Sequence, residues 1–346
     1  MTAAAVSGQS VILLSAPQLH DTKYSDRRSD ILSYQAGMVK LVQAPDQAFI
    51  LADQQSQSEL IKLDVANSSI IRAGVYDTWI RDFGPVRATR QVKFRYQPNY
   101  LGKNEASDIQ NSLLNTFLDK GVQLEQSRSS LILDGGNLVD NELNSGILTD
   151  RVLDDNNPLT RQEVVQQLQS DLGLSNIVLV PQLEGDTTGH SDGMVSFIDQ
   201  KVLGVTQMKE PERGALWNAL RSQLDPSIQL VEIPNHFDAT FENGFASACG
   251  LHVNLIATDT HLYVPVFGDD PASQTVGHTK KQDEEALAKI RENTSKTVVP
   301  IPVPNSVCNL GGSVRCLSLQ IVGKKAQEVA KAAAQRQRQK RKNCKN

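Results

Sequence analysis

Cysteine is scarce in this chain. Cys249, Cys308, Cys316 and Cys344 are the only four in 346 residues, and they show neither CxxC spacing nor the density of a disulfide framework. That argues against structural zinc and against a stapled secreted fold, and it favours reduced thiols. Long apolar runs are missing as well. No stretch approaches the roughly 20 residues that span a bilayer, so no membrane span is expected. The first 15 residues lack a basic segment ahead of their short apolar stretch, which leads to the expectation of a cytoplasmic protein. Gly/Ser tracts, long linkers and visible repeats are also absent before residue 324. We therefore read residues 1–323 as one continuous domain and 324–346 as a basic C-terminal tail.

A hydrophobic share of 39% with mean hydropathy −0.32 describes a soluble globular protein with room for a substantial core. Charge is unevenly spread. Residues 324–346 hold nine Lys or Arg against one Glu, a local +8, so the formal −4 of the whole chain leaves −12 on residues 1–323. Such a body attracts cations rather than nucleic acid. The tail has high helix propensity but no sustained apolar face after Val329, and is expected to be a solvated or frayed extension. Contact with a polyanion or a membrane surface is the sharper alternative.

Strand-like runs recur at 10–15, 48–51, 69–74, 129–133, 176–180, 228–233, 261–267 and 297–303, with further runs at 194–198 and 317–322. Helical stretches fall between them at 30–42, 107–119, 160–171, 210–224 and 282–293. The helix at 160–171 is the clearest: Thr160 and Glu163 form a capping box, and Val164, Val165, Leu168 and Leu172 share a face. The pattern is α/β.

The chemically loaded residues fall in turn-rich segments just beyond or between strands. In Trp79-Ile80-Arg81-Asp82-Phe83-Gly84-Pro85, Asp82 can grip a guanidinium through paired charge-assisted hydrogen bonds while Trp79 offers a stacking face. The plainer alternative is a local Arg81–Asp82 ion pair closing a loop. Asp134 ends an apolar strand and precedes Gly135-Gly136-Asn137, either at a ligand-facing strand mouth or in an ordinary Asp-Gly hairpin turn. In Gly189-His190-Ser191-Asp192, read as extended chain, His190 and Asp192 share a face about 7 Å apart. Their spacing also suits a divalent metal, but no other His lies in a comparable acidic motif, so His190 is better cast as general acid and base. Cys316 follows Gly311-Gly312-Ser313-Val314-Arg315, a setting that favours an exposed, reactive thiol over a buried structural one; Cys249 and Cys308 lack it and read as structural. A thiolate, an imidazole and several acids suit one flat cation.

In order and content these segments resemble the agmatine deiminase and bacterial-type (Porphyromonas-type) peptidylarginine deiminase family of guanidine-modifying enzymes. The match covers W-x-R-D-x-G-P at 79–85, Asp134 with its two glycines, Gly189-His190-Ser191-Asp192, Asn254 ahead of Val264-Pro265-Val266-Phe267-Gly268-Asp269, and the glycine turn into Cys316. The resemblance implies an α/β fold of pentein type, a five-bladed α/β propeller of pseudo-fivefold ββαβ modules round a central site, with no metal or organic cofactor. By position it implies Cys316 as nucleophile and His190 as proton shuttle. Asp134 and Asp192 would hold the guanidinium, Asp82 would be a further acid of the pocket, and Asn254 would lie beside the cysteine. Many agmatine deiminases carry Glu where Asp134 stands, His where Arg315 stands and a longer glycine turn; Asp134 is more similar to the peptidylarginine branch. Arg315 either meets a substrate carboxylate or forms a structural ion pair.

The function expected is cysteine-dependent hydrolysis of a guanidino group to a ureido group plus ammonia. Agmatine, giving N-carbamoylputrescine for polyamine biosynthesis, stands ahead of arginine or peptidylarginine, giving citrulline. An amidinotransferase, a non-catalytic guanidinium-binding protein and a metallohydrolase are the rivals. The partner is then a small guanidinium compound or an arginine-containing peptide, with no nucleic acid at the core; a homo-oligomer stays open.

Overall fold

The computed structural model of the chain describes residues 10–87, 90–236, 241–242, 244–275 and 277–343. Among them five sheets share one connectivity: a first strand antiparallel to a second, then a helix, then a third strand parallel to the second. The second sheet runs Val86–Arg87, Gln91–Arg95, Ser127–Ile132, and the third Val139–Asp140, Ser145–Thr149, Asn176–Val180. The fourth runs Val195–Asp199, Val202–Thr206, Gln229–Ile233, and the fifth Ile256–Ala257, His261–Val266, Thr297–Pro302. The first sheet takes its antiparallel strand from far downstream. Ser318–Ile321 pairs with Val11–Ser15, which lies parallel to Gln47–Ala52, with Ile70–Arg72 added at the edge. A sixth, two-stranded hairpin pairs Phe241–Glu242 with Phe245–Ala246.

Burial on both faces explains why the central strands read as unbroken apolar runs rather than alternating ones. In Val11–Ser15 every residue is buried, yet period two still operates. Ile12 and Leu14 join a core shared with Tyr263, Val299 and Ile301 of the fifth sheet, whereas Val11 and Leu13 pack with Leu113 and Phe117 of the helix Lys103–Leu118. The same rule repeats. One core joins Val92 and Phe94 to Leu148 and Leu179, another joins Ile147 and Val178 to Val195 and Val205, and a third joins Val231 and Ile233 to Leu262 and Val264. Each lies between successive sheets.

The crossover helices are Arg28–Leu41, Lys103–Leu118, Arg161–Leu172, Glu212–Gln223 and Lys280–Arg291, each within a few residues of its expected position. Thr160 and Glu163 form the expected capping box, and Val164, Leu168 and Leu172 are buried with Val165 at the edge of the same core. A second capping box, Thr279 with Gln282, starts its helix two residues earlier than periodicity suggests.

Two expectations are corrected. Cys249 and Cys308 form a disulfide instead of staying reduced; their separation of 59 residues leaves no trace in local spacing. Cys344 lies outside the described residues. The segment after residue 323 is not a frayed extension at its start. Gly323–Asn343 is a helix, and Ala326, Val329, Ala332 and Ala333 are buried in the core between the first sheet and Lys103–Leu118. Alanines at helical spacing make a narrow face that a search for large apolar residues overlooks. Among the described residues, no helix is long and apolar enough to cross a membrane.

Candidate active site

Each chemically loaded segment lies where the chain leaves the last strand of one sheet and runs on toward the first strand of the next. The connector from the first sheet to the second contains the single helical turn Ile80–Phe83, with Trp79 before it and Asp82 inside it. The next places Asp134 ahead of the short turn Gly135–Asn137. The third places His190 ahead of the turn Ser191–Gly193, which contains Asp192. The fourth carries Asn254, and the last, from the fifth sheet back to the first, carries Arg315 and Cys316.

Asn254 is the hub. Its Nδ2 donates to Cys316 Sγ at 3.2 Å and to the Asp192 carbonyl at 3.3 Å. Its Oδ1 accepts from Ser313 Oγ (2.9 Å), Arg315 N (3.1 Å) and Cys316 N (3.4 Å). One amide thus holds the thiol and the backbone behind it. Cys316 Sγ also stands 3.8 and 3.9 Å from the two carboxylate oxygens of Asp192. Asp192 in turn pairs with Arg315 Nε at 3.4 Å, and Arg315 Nη2 donates to the Leu138 carbonyl at 2.8 Å.

His190 bridges two acids, with Nε2 3.4 Å from Asp134 Oδ2 and Nδ1 3.7 Å from Asp82 Oδ1. Asp82 Oδ1 also accepts from Gly136 N at 3.2 Å, and Asp134 Oδ1 is buried with no hydrogen-bond partner among the described residues. Gly136 has to be glycine for steric reasons: a Cβ there would stand 2.4 Å from His190 Nδ1 and 2.8 Å from Asp82 Oδ1. Gly312 is equally constrained, since its Cβ would meet Trp79 Cζ3 at 2.5 Å and Cys316 Cβ at 2.7 Å. Trp79 therefore lies against the cysteine turn, across a backbone that carries no side chain.

The electrostatics are those of a buried acidic cluster. Burial pushes the Cys316 thiol well above its usual range and Asp192 and Asp82 push the same way, whereas the Asn254 N–H and the nearby Arg81 guanidinium favour thiolate. Burial alone would lower His190, but Asp82, Asp134 and Asp192 outweigh it and raise the imidazole to about 10. Burial, reinforced by Asp134 and Asp192, raises Asp82 to about 7 against the pull of His190. The carboxylates already face His190, Arg81 and Arg315, and the buried, unpartnered Asp134 Oδ1 is the acceptor left for a positive ligand to meet.

All the expected residues converge, with local corrections. Cys316 is 8% exposed, so the glycine turn buries the thiol instead of presenting it to solvent. His190 and Asp192 do not share an extended face, because the chain coils into a tight turn between them and sends Asp192 to the thiol and His190 to the acids. Asp134 sits between two different sheets rather than in a hairpin. Arg81 turns away from Asp82; its backbone N donates to the Cys316 carbonyl and its Nε to the Arg315 carbonyl, each at 3.3 Å. Ser313 and Arg81, which tie the cysteine turn in place, were not among the candidates. Their positions inside the two motifs were the available signal. Among the described residues, no group of three or more His, Cys, Asp or Glu is arranged to hold a metal ion.

A family model described as Porphyromonas-type peptidyl-arginine deiminase matches residues 2–321. The chain belongs to that family. A search of curated proteins returns no significant match. Among solved structures, the agmatine deiminase of C. jejuni is similar at TM-score 0.71 and 21% identity, covering 91% of this chain and 93% of that one. A cysteine-to-serine variant of the C. jejuni enzyme with substrate bound gives the same TM-score at 19% identity, with the same shares covered. The agmatine deiminase of Enterococcus faecalis gives 0.65 at 14% identity, covering 90% and 92%. These likenesses establish the fold, a mixed α/β architecture common to the family and its structural neighbours.

Proposed function

We propose that this protein is a cysteine-dependent deiminase that hydrolyses a guanidino group to a ureido group and ammonia. The observation that carries the reading is the meeting of Cys316, Asn254, His190 and three buried carboxylates, supplied by five separate connectors. We also read the five sheets as blades of one propeller, because each core packs between neighbouring sheets and the sequence of cores returns from the fifth sheet to the first.

In this reading Asp134 and Asp192 hold the planar cation, Asp82 adds negative charge, and Trp79 offers an apolar wall. Binding the cation offsets the carboxylate field that suppresses ionisation of Cys316, so the nucleophile is activated by its own substrate. The thiolate attacks the guanidinium carbon. Imidazolium at His190, favoured by the acids around it, gives its proton to the departing ammonia and leaves an amidino thioether on Cys316. Neutral His190 then takes one proton from water as it attacks the same carbon; the C–S bond breaks to return thiolate and the ureido product, and the second water proton is taken up by the released ammonia as ammonium.

Agmatine is the favoured substrate. Arg315 is occupied by Asp192 and the Leu138 carbonyl, which supports the structural role for it and leaves it poorly placed to receive the carboxylate of free arginine. The peptidylarginine reading is the second, supported by the family description and by Asp at position 134. Ammonia release measured with agmatine, free arginine and arginine-ended peptides separates them. Cys316→Ala and His190→Ala are each expected to cut that release at least about 1000-fold in a folded protein. Full activity in either variant overturns the assignment.

A further inference from the structure

The Cys249–Cys308 disulfide lies in the same two connectors that carry Asn254 and Cys316. Cys249 stands five residues before Asn254, and Cys308 eight before Cys316. The two connectors touch again beside the bond, where Ala248 N donates to the Cys308 carbonyl at 2.9 Å and Ser247 Oγ to Asn309 Oδ1 at 2.8 Å. Past it, the Asn254 amide and carbonyl make polar contacts with Ser313, Arg315 and Cys316, and Phe245 lies against Gly311. The covalent bond is thus the fixed end of a lever whose free end is the thiol and its one favourable side-chain donor. The guanidinium-holding acids, by contrast, sit on the three other connectors.

We propose that the Cys249–Cys308 disulfide is a positioning cross-link for the nucleophile, so that the enzyme turns over when this bond is oxidised and slows when a dithiol reduces it. The proposal rests on the deiminase reading above. In the reduction, one thiolate of the reagent attacks a disulfide sulfur, the S–S electron pair leaves on the other cysteine, and the reagent's second thiolate displaces the first thiol. The reagent ends as a cyclic disulfide, while Cys249 and Cys308 each gain a proton. Both cysteines are fully buried, and Cys308 ends the short helical turn Asn305–Cys308. Asn309 Oδ1 and Asn305 Nδ2 stand 3.2 and 3.7 Å from Cys249 Sγ, and both residues line a surface cavity of about 690 Å³.

The test compares native protein with the C249S/C308S double variant and with native protein reduced by dithiothreitol and then reoxidised. Folding is followed by circular dichroism. With the best guanidino substrate, kcat is expected to fall about tenfold in the double variant and in the reduced protein, with KM within about twofold, and reoxidation restores kcat. The pH profile of iodoacetamide labelling, read by mass spectrometry on the peptide containing Cys316, is expected to shift upward by about half a unit as the Asn254 donor is lost. This second readout needs no substrate, so it stands even if the protein releases no ammonia from anything. An unchanged kcat with an unchanged labelling profile overturns the proposal. So does equal loss of kcat and folded protein in both the variant and the reduced form, which makes the bond a fold staple only.

Discussion

At the level of single residues, the site is a balance between burial and charge that moves Cys316, His190, Asp82 and Asp192 from their ordinary acidity. Asp82 is the one poised near neutrality, at about 7, because burial and two neighbouring carboxylates outweigh the imidazole. A cation prefers its ionised form. The KM for a guanidino substrate is therefore expected to fall as pH rises toward 7, by up to roughly tenfold per unit, and to level off above it. Initial rates from pH 5.5 to 8.5 check this, and in Asp82→Asn that limb should flatten. Gly136 tests the geometry separately from the charge. A methyl group there displaces His190 or Asp82 without changing the chemistry of either, so Gly136→Ala is expected to lower kcat about 100-fold in a protein that still folds by circular dichroism. Near-native kcat would show that the imidazole position is not critical.

Among the elements, the C-terminal helix separates what composition suggests from what packing decides. Lys and Arg dominate its sequence, yet a face of small residues, Ala326, Val329, Ala332 and Ala333, is buried against the body. Burial of one valine and three alanines contributes about 3 kcal/mol, a large share of the roughly 5–15 kcal/mol typical of a domain. A chain ending at Val322 is expected to unfold at clearly lower denaturant, whereas one ending at Ala334 keeps its midpoint; equal midpoints would mean that the helix adds no stability. Elements built on strong local rules were legible beforehand. The capping box at Thr160 and the apolar run at 176–180 coincide with an observed helix start and an observed strand. Those depending on distant partners were not. The two-residue strands Val86–Arg87 and Val139–Asp140 exist because a longer neighbour pairs with them, and nothing in such short runs distinguishes them from loop.

For the molecule as a whole, the site was more legible than the architecture that assembles it. Asp82, Asp134, His190, Asp192, Asn254 and Cys316 each stand in a short motif whose chemistry is visible without coordinates, and all six come together. What the motifs conceal is placement. The burial of Cys316, the turn that parts His190 from Asp192 and the bond between Cys249 and Cys308 all depend on segments tens of residues apart, and sequence patterns report neighbours along the chain rather than across it.

The pairing of Val11–Ser15 with Ser318–Ile321 has a bearing on biosynthesis. A nascent polypeptide can wind its middle sheets as they emerge from the ribosome, but the opening sheet waits for a partner made more than three hundred residues later. Cys316 emerges just before that partner strand. A product cut short before Cys316 would lack both the sulfur and the strand that seats it, which ties any competent site to a chain made through that strand.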